Sequence, residues 1–123
     1  MTHFNILLVD DEIRFADMLA KRLHLRGCDC QVCYSGKEAL EILQHKQFFL
    51  ILLDLHLPDM YGTEVLTRIK ARDPVTPVIV LTGHGTEKDR QICMDQGAYA
   101  FMHKPLGIET LMSILENIRE MSV

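Results

Sequence analysis

The chain has 123 residues, 48% of them hydrophobic and 24% charged, and a formal net charge of −4 with scattered Lys and Arg. This is room for one ordinary domain, with a core large enough to need neither metal nor disulfide. The composition argues against disorder, and the acidic balance against direct binding to nucleic acid or to an anionic membrane.

In chain order, "MTHFNILLVDDE" has no basic leader, and its apolar stretch stops at acids after Val9, so it reads as a first strand, about Phe4–Val9, and not as a signal peptide. "DEIRFADMLAKRLHLRG" then carries Ile13, Ala16, Leu19, Ala20 and Leu23 on one helical stripe and ends at Gly27, a natural residue just past a helix. Cys28, Cys30 and Cys33 fall in a second strand, Asp29–Tyr34. "CDCQVC" invites a metal reading. Its parity is mixed, however, and no paired CxxC or HxxxH lies elsewhere, so these three and Cys93 read as small buried or half-buried thiols of a reducing compartment.

A helix over "GKEALEILQHK" leads to a third strand, Phe49–Leu53, and "YGTEVLTRIKARDP" is helical up to Pro74. A fourth strand, Val78–Thr82, is followed by the polar helix "TEKDRQICMDQG", with Ile92 and Cys93 as its main apolar pair. A fifth strand, Tyr99–His103, precedes "GIETLMSILENIRE", with Ile108, Leu111, Met112, Leu115 and Ile118 on one face. The longest apolar run, Phe48–Leu53, is far too short to span a bilayer. A cytoplasmic location is the simplest expectation.

Three strands, "NILLV", "LILL" and "VIVL", are continuously apolar, as central parallel strands covered on both faces must be. The alternation βαβαβαβαβα, with short connections, therefore predicts a doubly wound five-stranded parallel sheet flanked by five helices. In such a sheet, sites form at the carboxyl ends of the strands. Those ends carry Asp10, Asp11 and Glu12, then Asp54, Thr82 and Lys104. Crowded carboxylates suit a hard, oxygen-preferring cation, Mg²⁺ above all. An aspartate can be a phosphoryl-accepting nucleophile, a lysine can neutralise a phosphoryl oxygen, and a threonine can donate to another. Taken singly, these residues have plainer readings: Asp10 and Asp11 as a helix cap, Asp54 as a turn residue, Thr82 as a β-branched strand end, Lys104 as a surface lysine.

"ILLVDDE", "LLDLHLPDMYG", "VIVLTG" and "GAYAFMHKP", in this order and each at a strand end, resemble the receiver (CheY-like) domain of two-component response regulators, from about Asn5 to Ile118. The resemblance implies a flavodoxin-like strand order 2-1-3-4-5, a single receiver domain over 1–123, and a switch that assists its own phosphorylation and dephosphorylation instead of an enzyme. It implies Asp54 as phosphoacceptor. It implies a Mg²⁺ site of Asp10, Asp11 and Asp54 with the His56 backbone carbonyl, with Mn²⁺ as a substitute and Asp11 as the preferred direct ligand. Thr82 and Lys104 are implied as phosphate contacts, Phe101 as the switch aromatic and Pro105 as following a cis peptide. Pro58, Met60 and Gly62 match the loop after the acceptor. His56 and His84 stand at variable positions that can tune the lifetime of an acyl phosphate.

The implied partners are a sensor histidine kinase or histidine phosphotransfer protein, a phosphorylation-linked homodimer and an effector of unspecified kind. The implied output surface is that of helix 4, strand 5 and helix 5. A stand-alone receiver and the first module of a larger regulator remain equally open. Two other classes fit the first strand end less well. A haloacid-dehalogenase-like phosphohydrolase would carry its nucleophile in a DxD[TV] pattern after strand one, where this chain has "DDEI". A flavodoxin-like cofactor binder would need a Ser/Thr/Gly-rich loop there in place of acids.

Overall fold

The computed structural model describes residues 4–121. Ten elements alternate: β1 (Asn5–Val9), α1 (Ile13–Leu25), β2 (Asp29–Cys33), α2 (Gly36–His45), β3 (Leu50–Leu53), α3 (Gly62–Arg72), β4 (Val78–Thr82), α4 (Glu87–Asp95), β5 (Ala100–His103) and α5 (Ile108–Met121). The five strands form one parallel sheet in the order β2-β1-β3-β4-β5. This is the doubly wound, flavodoxin-like arrangement expected.

Successive residues of a strand face opposite sides of a sheet. Both sides are covered here, so both parities must be apolar. Leu7, Val9, Ile51, Leu53, Val78 and Val80 pack with Ala39 of α2, Val65, Leu66 and Ile69 of α3 and Cys93 of α4. Ile6, Leu8, Leu50, Leu52, Ile79 and Leu81 pack with Ala16, Leu19 and Leu23 of α1 and Leu111, Leu115 and Ile118 of α5. The cysteines follow the same division, Cys28 with α1 and α5, Cys33 and Cys93 with α2 to α4, and all four thiols are free. Burial pushes Cys30 and Cys33 up to about 12 and Cys93 to about 11, so they are protonated core thiols.

One expectation is corrected. Ile13, assigned to the buried stripe of α1, is 58% exposed: it is the first residue of the helix, and the buried positions begin only at Ala16. Ile92 of α4 is exposed as well, and Cys93 alone is buried in that helix. Local chemistry sets the ends. Gly27 takes a left-handed φ of 85° after α1. Ser35 caps α2 by accepting from the Glu38 N–H, and Thr86 and Asp89 form a reciprocal capping box on α4. No helix among the described residues is long and apolar enough to cross a membrane.

Candidate functional site: an acidic pocket at the carboxyl edge of the sheet

β1 and β3 are hydrogen-bonded neighbours, with Val9 opposite Leu53, so the residues that follow them, Asp10 and Asp54, emerge side by side. The Asp54 N–H donates to the Val9 carbonyl at 3.0 Å, and the Asp10 N–H to the Cys33 carbonyl at 3.0 Å. Parallel pairing carries the strand direction into both loops. β4 pairs with β5, with Thr82 opposite His103, and the Lys104 N–H donates to the Thr82 carbonyl at 2.9 Å. Asp10, Asp54 and Thr82 are the buried polar side chains among the described residues.

The loop after Asp54 is tied down twice. His56 and Tyr61 form an isolated antiparallel bridge. The Gly62 N–H donates to the Leu55 carbonyl at 2.7 Å, and a Cβ at Gly62 would lie 2.6 Å from both the Asp54 carbonyl oxygen and the Leu55 Cα. Only glycine lets the start of α3 approach that closely. Pro58 is exposed and Met60 half-buried, with the Met60 side chain against Gly36.

Lys104 is the electrostatic centre. Its side chain is 9% exposed, and its Nζ lies 2.8 Å from Asp10 Oδ2, 2.6 Å from Glu12 Oε1 and 3.5 Å from Asp54 Oδ2. It also stands 4.5 Å from the centroid of the Phe15 ring, a cation–π contact from α1. Burial works against the charged amine, but bonds to Asp10 and Glu12 outweigh it and raise its pKa. Burial also raises the Asp10 carboxyl, opposed by Lys104 and by the Glu12 N–H that Oδ1 accepts at 2.9 Å. The hydrogen bond from Lys104 holds the Glu12 carboxyl below its usual range.

Asp54 is treated differently. It is 4% exposed, its Oδ2 has only the long contact with Lys104, and its Oδ1 is buried with no hydrogen-bond partner. Such an atom is costly unless a ligand meets it. The expected partners from neighbouring strands thus reach the pocket but leave one face of Asp54 open. A pocket of about 230 Å³ lies over it, lined by Asp11, Glu12, Asp54, His56, Gly83 and His84. One carboxylate oxygen each from Asp10, Glu12 and Asp54 falls within 4.8 Å of the others, a spacing that fits a hard divalent cation. Asp11 is exposed and lines the pocket, but the third member of the tight cluster is Glu12.

The remaining residues lie around this centre. Thr82 Oγ1 accepts the His84 N–H at 3.2 Å. The Lys104–Pro105 peptide is cis. Phe101 is half-buried, and its ring reaches inward: a Cβ at Gly85 would overlap it and would lie 2.7 Å from the Thr82 Cγ2 methyl. The exposed rings of His56 and His84 stand 6.3 Å apart, centroid to centroid, at the pocket mouth. Sequence reasoning gave no part to Glu12, Phe15 or Gly85. The acidity of Glu12 at a strand end was visible, whereas the reach of Lys104 to it and to Phe15 was not. A larger cavity of about 650 Å³, between the C-terminal ends of α2 and α3, contains none of these residues.

Comparison with known proteins agrees with this geometry. The family model "Response regulator receiver domain" matches residues 6–116. The chain belongs to that family. This receiver domain is similar to a Mycobacterium tuberculosis protein, "Transcriptional regulatory protein TrcR", at 34% identity over 113 residues, covering 92% of this chain and 44% of the relative. Its fold matches a CheY-like receiver domain from Methanospirillum hungatei at a TM-score of 0.89 and 27% identity, over 97% of this chain and 98% of that one. It also matches a Burkholderia pseudomallei response regulator, described as holding a phosphorylated aspartic acid, a calcium ion and citrate. That TM-score is 0.86 at 28% identity, over 97% of this chain and 71% of the other. The chain spans roughly a quarter to a half of the length of the curated relatives it matches. It is a receiver domain of two-component systems, and the comparisons give the haloacid-dehalogenase alternative no support.

Proposed function

We propose that the receiver domain is switched by a phosphoryl group carried on Asp54 and supplied by a histidine kinase or histidine phosphotransfer protein. The observation that carries this reading is the buried, unpartnered Oδ1 of Asp54, a residue that lines the pocket with Asp11, Glu12, His56, Gly83 and His84 while the Lys104 ammonium stands 3.5 Å from its Oδ2. An Asp54 carboxylate oxygen attacks the phosphorus of a phosphohistidine. The O–P bond forms as the N–P bond breaks, and the departing imidazole takes a proton from water. The product is an acyl phosphate with about −1.5 to −2 added charge and three acceptor oxygens.

Asp10, Asp54 and the His56 carbonyl, joined by Asp11 or Glu12, are the groups suited to hold Mg²⁺ or Mn²⁺. The ion would neutralise carboxylate and phosphoryl charge where they meet. Lys104, whose Nζ now stands 3.5 Å from Asp54 Oδ2, stabilises one phosphoryl oxygen after a short movement of its ammonium group. Thr82 donates its hydroxyl to another oxygen, giving up the His84 N–H it now accepts. As Thr82 moves, its methyl shifts in the space beside Gly85 that the Phe101 ring also borders, and this alters the surface of α4, β5 and α5. Shifting a mostly inactive population to a mostly active one takes roughly 3–5 kcal/mol, within reach of two or three charge-assisted bonds.

His56 and His84 flank the path by which water reaches the acyl phosphate and so set its lifetime. The domain acts as a switch that assists its own loading and unloading, in the cytoplasm. Its effector is reached through the α4–β5–α5 surface, in the same polypeptide, in another protein or in a second phosphorylated copy. Incubation with Mg²⁺ and acetyl phosphate should add one phosphoryl group, read by intact mass, and Asp54→Asn should abolish it. Labelling that persists in Asp54→Asn refutes the assignment.

A further inference from the structure

Glu12 makes the shortest contact in the pocket, and the phosphoacceptor reading gives it no task beyond an alternative place to Asp11 at the cation. It occupies the N-cap position of α1, where Ser, Thr, Asp or Asn are the effective residues, and its side chain caps nothing. Its carboxylate instead meets the Lys104 ammonium at 2.6 Å, across 92 positions of sequence. The geometry of the three carboxylates around that ammonium is uneven. Asp10 at 2.8 Å and Glu12 at 2.6 Å are within charge-assisted hydrogen-bond range, and Asp54 at 3.5 Å is at its limit. Asp10 is 1% exposed and fixed by the Glu12 N–H, whereas the Glu12 side chain is 61% exposed. The Lys104 ammonium also stands 4.5 Å from the centroid of the Phe15 ring, so it is held among three carboxylates and one aromatic face.

We propose that Glu12 is a positioning residue that draws the Lys104 ammonium toward the pocket mouth, away from Asp54, and so competes with an incoming phosphoryl group for it. Loading Asp54 requires the ammonium to leave Glu12, and Glu12, on the solvent side, can swing out without disturbing the core. Glu12 thereby slows loading. This rests on the phosphoacceptor reading of Asp54.

The test compares Glu12→Ala and Glu12→Gln with the unsubstituted protein. Under limiting acetyl phosphate, both substitutions should raise the labelling rate roughly three- to tenfold, at the low end of what local charge does to association of charged ligands. In a Lys104→Met background, Glu12→Ala should change the rate by less than about twofold, because the competition acts through that ammonium. A second readout needs no phosphorylation: limited acetylation by acetic anhydride, followed by mass spectrometry, should modify Lys104 faster in metal-free Glu12→Ala than in the unsubstituted protein. Unchanged or slower labelling, or unchanged Lys104 reactivity, overturns the proposal. So does a Mg²⁺ half-saturation raised about tenfold or more in Glu12→Gln, the signature of a lost metal ligand. If the unsubstituted protein fails to label at Asp54 while Lys104 reactivity rises as expected, the ion pair stands and the phosphoacceptor reading falls, and with it the competition.

Discussion

Along β3, Leu50, Ile51, Leu52 and Leu53 are completely buried among apolar neighbours on both faces of the sheet. One residue further, Asp54 is almost as buried but carries a carboxylate oxygen that nothing in the protein meets. The same step recurs on β1, from Val9 to Asp10, and within β4, from Leu81 to Thr82. The sheet body and its carboxyl edge are equally hidden from solvent, yet only the body is matched to its surroundings. Apolar burial stabilises the body, while the edge retains charges whose burial is only partly offset, by Lys104. Stability and function are thus separated along the strand axis by a single residue step.

That contrast can be broken by substitution. In the body, Leu52→Ala should cost about 2–5 kcal/mol in chemical unfolding, since it removes a fully buried side chain from a packed layer between β1, β4 and the α1/α5 face. At the edge the sign should reverse. Burial holds the Asp10 carboxyl above its ordinary value, so the fold is favoured at pH below the unfolded-state value and loses that advantage as pH rises through the folded one. Asp10→Asn keeps an acceptor for the Glu12 N–H and removes the buried charge. It should stabilise the metal-free protein at pH 7, by on the order of 1 kcal/mol, because one of three crowded carboxylates loses its charge while Glu12 and Asp54 still face the Lys104 ammonium. A destabilised Asp10→Asn would show that Lys104 fully offsets the burial.

The smallest effect belongs to the thiols of the body. With Cys30 and Cys33 raised to about 12 and Cys93 to about 11, from 9.0, their share of stability is intact below about pH 9 and lost as pH rises toward 11–12. Stability should therefore not change with thiol ionisation between pH 7 and 8.5. At pH 8.5, iodoacetamide should modify these three cysteines at least about tenfold more slowly in the native than in the unfolded protein. Fast native alkylation would mean that the body opens locally.

How much was legible follows the same division. Continuous apolar runs fix β1, β3 and β4 as central strands, because period-2 geometry presents both faces of each to helices, and strand ends locate Asp10, Asp54, Thr82 and Lys104. Ile13 was misjudged because helical periodicity places residues on a stripe but does not say at which turn burial begins. Asp59 gave no signal for its role. It accepts the Gly36 and Lys37 N–H groups at 2.9 and 2.8 Å and so ties the loop after Asp54 to the start of α2.

By itself, the sequence determined the order of elements, the two apolar layers and the chemical types at the carboxyl edge, because these depend on local periodicity and on which residues end each strand. Only the tertiary structure decided which carboxylates Lys104 would hold, that Asp54 Oδ1 would be left unpartnered, and that the space beside Gly85 would be bordered by both the Phe101 ring and the Thr82 methyl. Those outcomes turn on differences of less than 1 Å between groups from β1, β4 and the loops after β3 and β5, and pairing register, not sequence spacing, sets such distances.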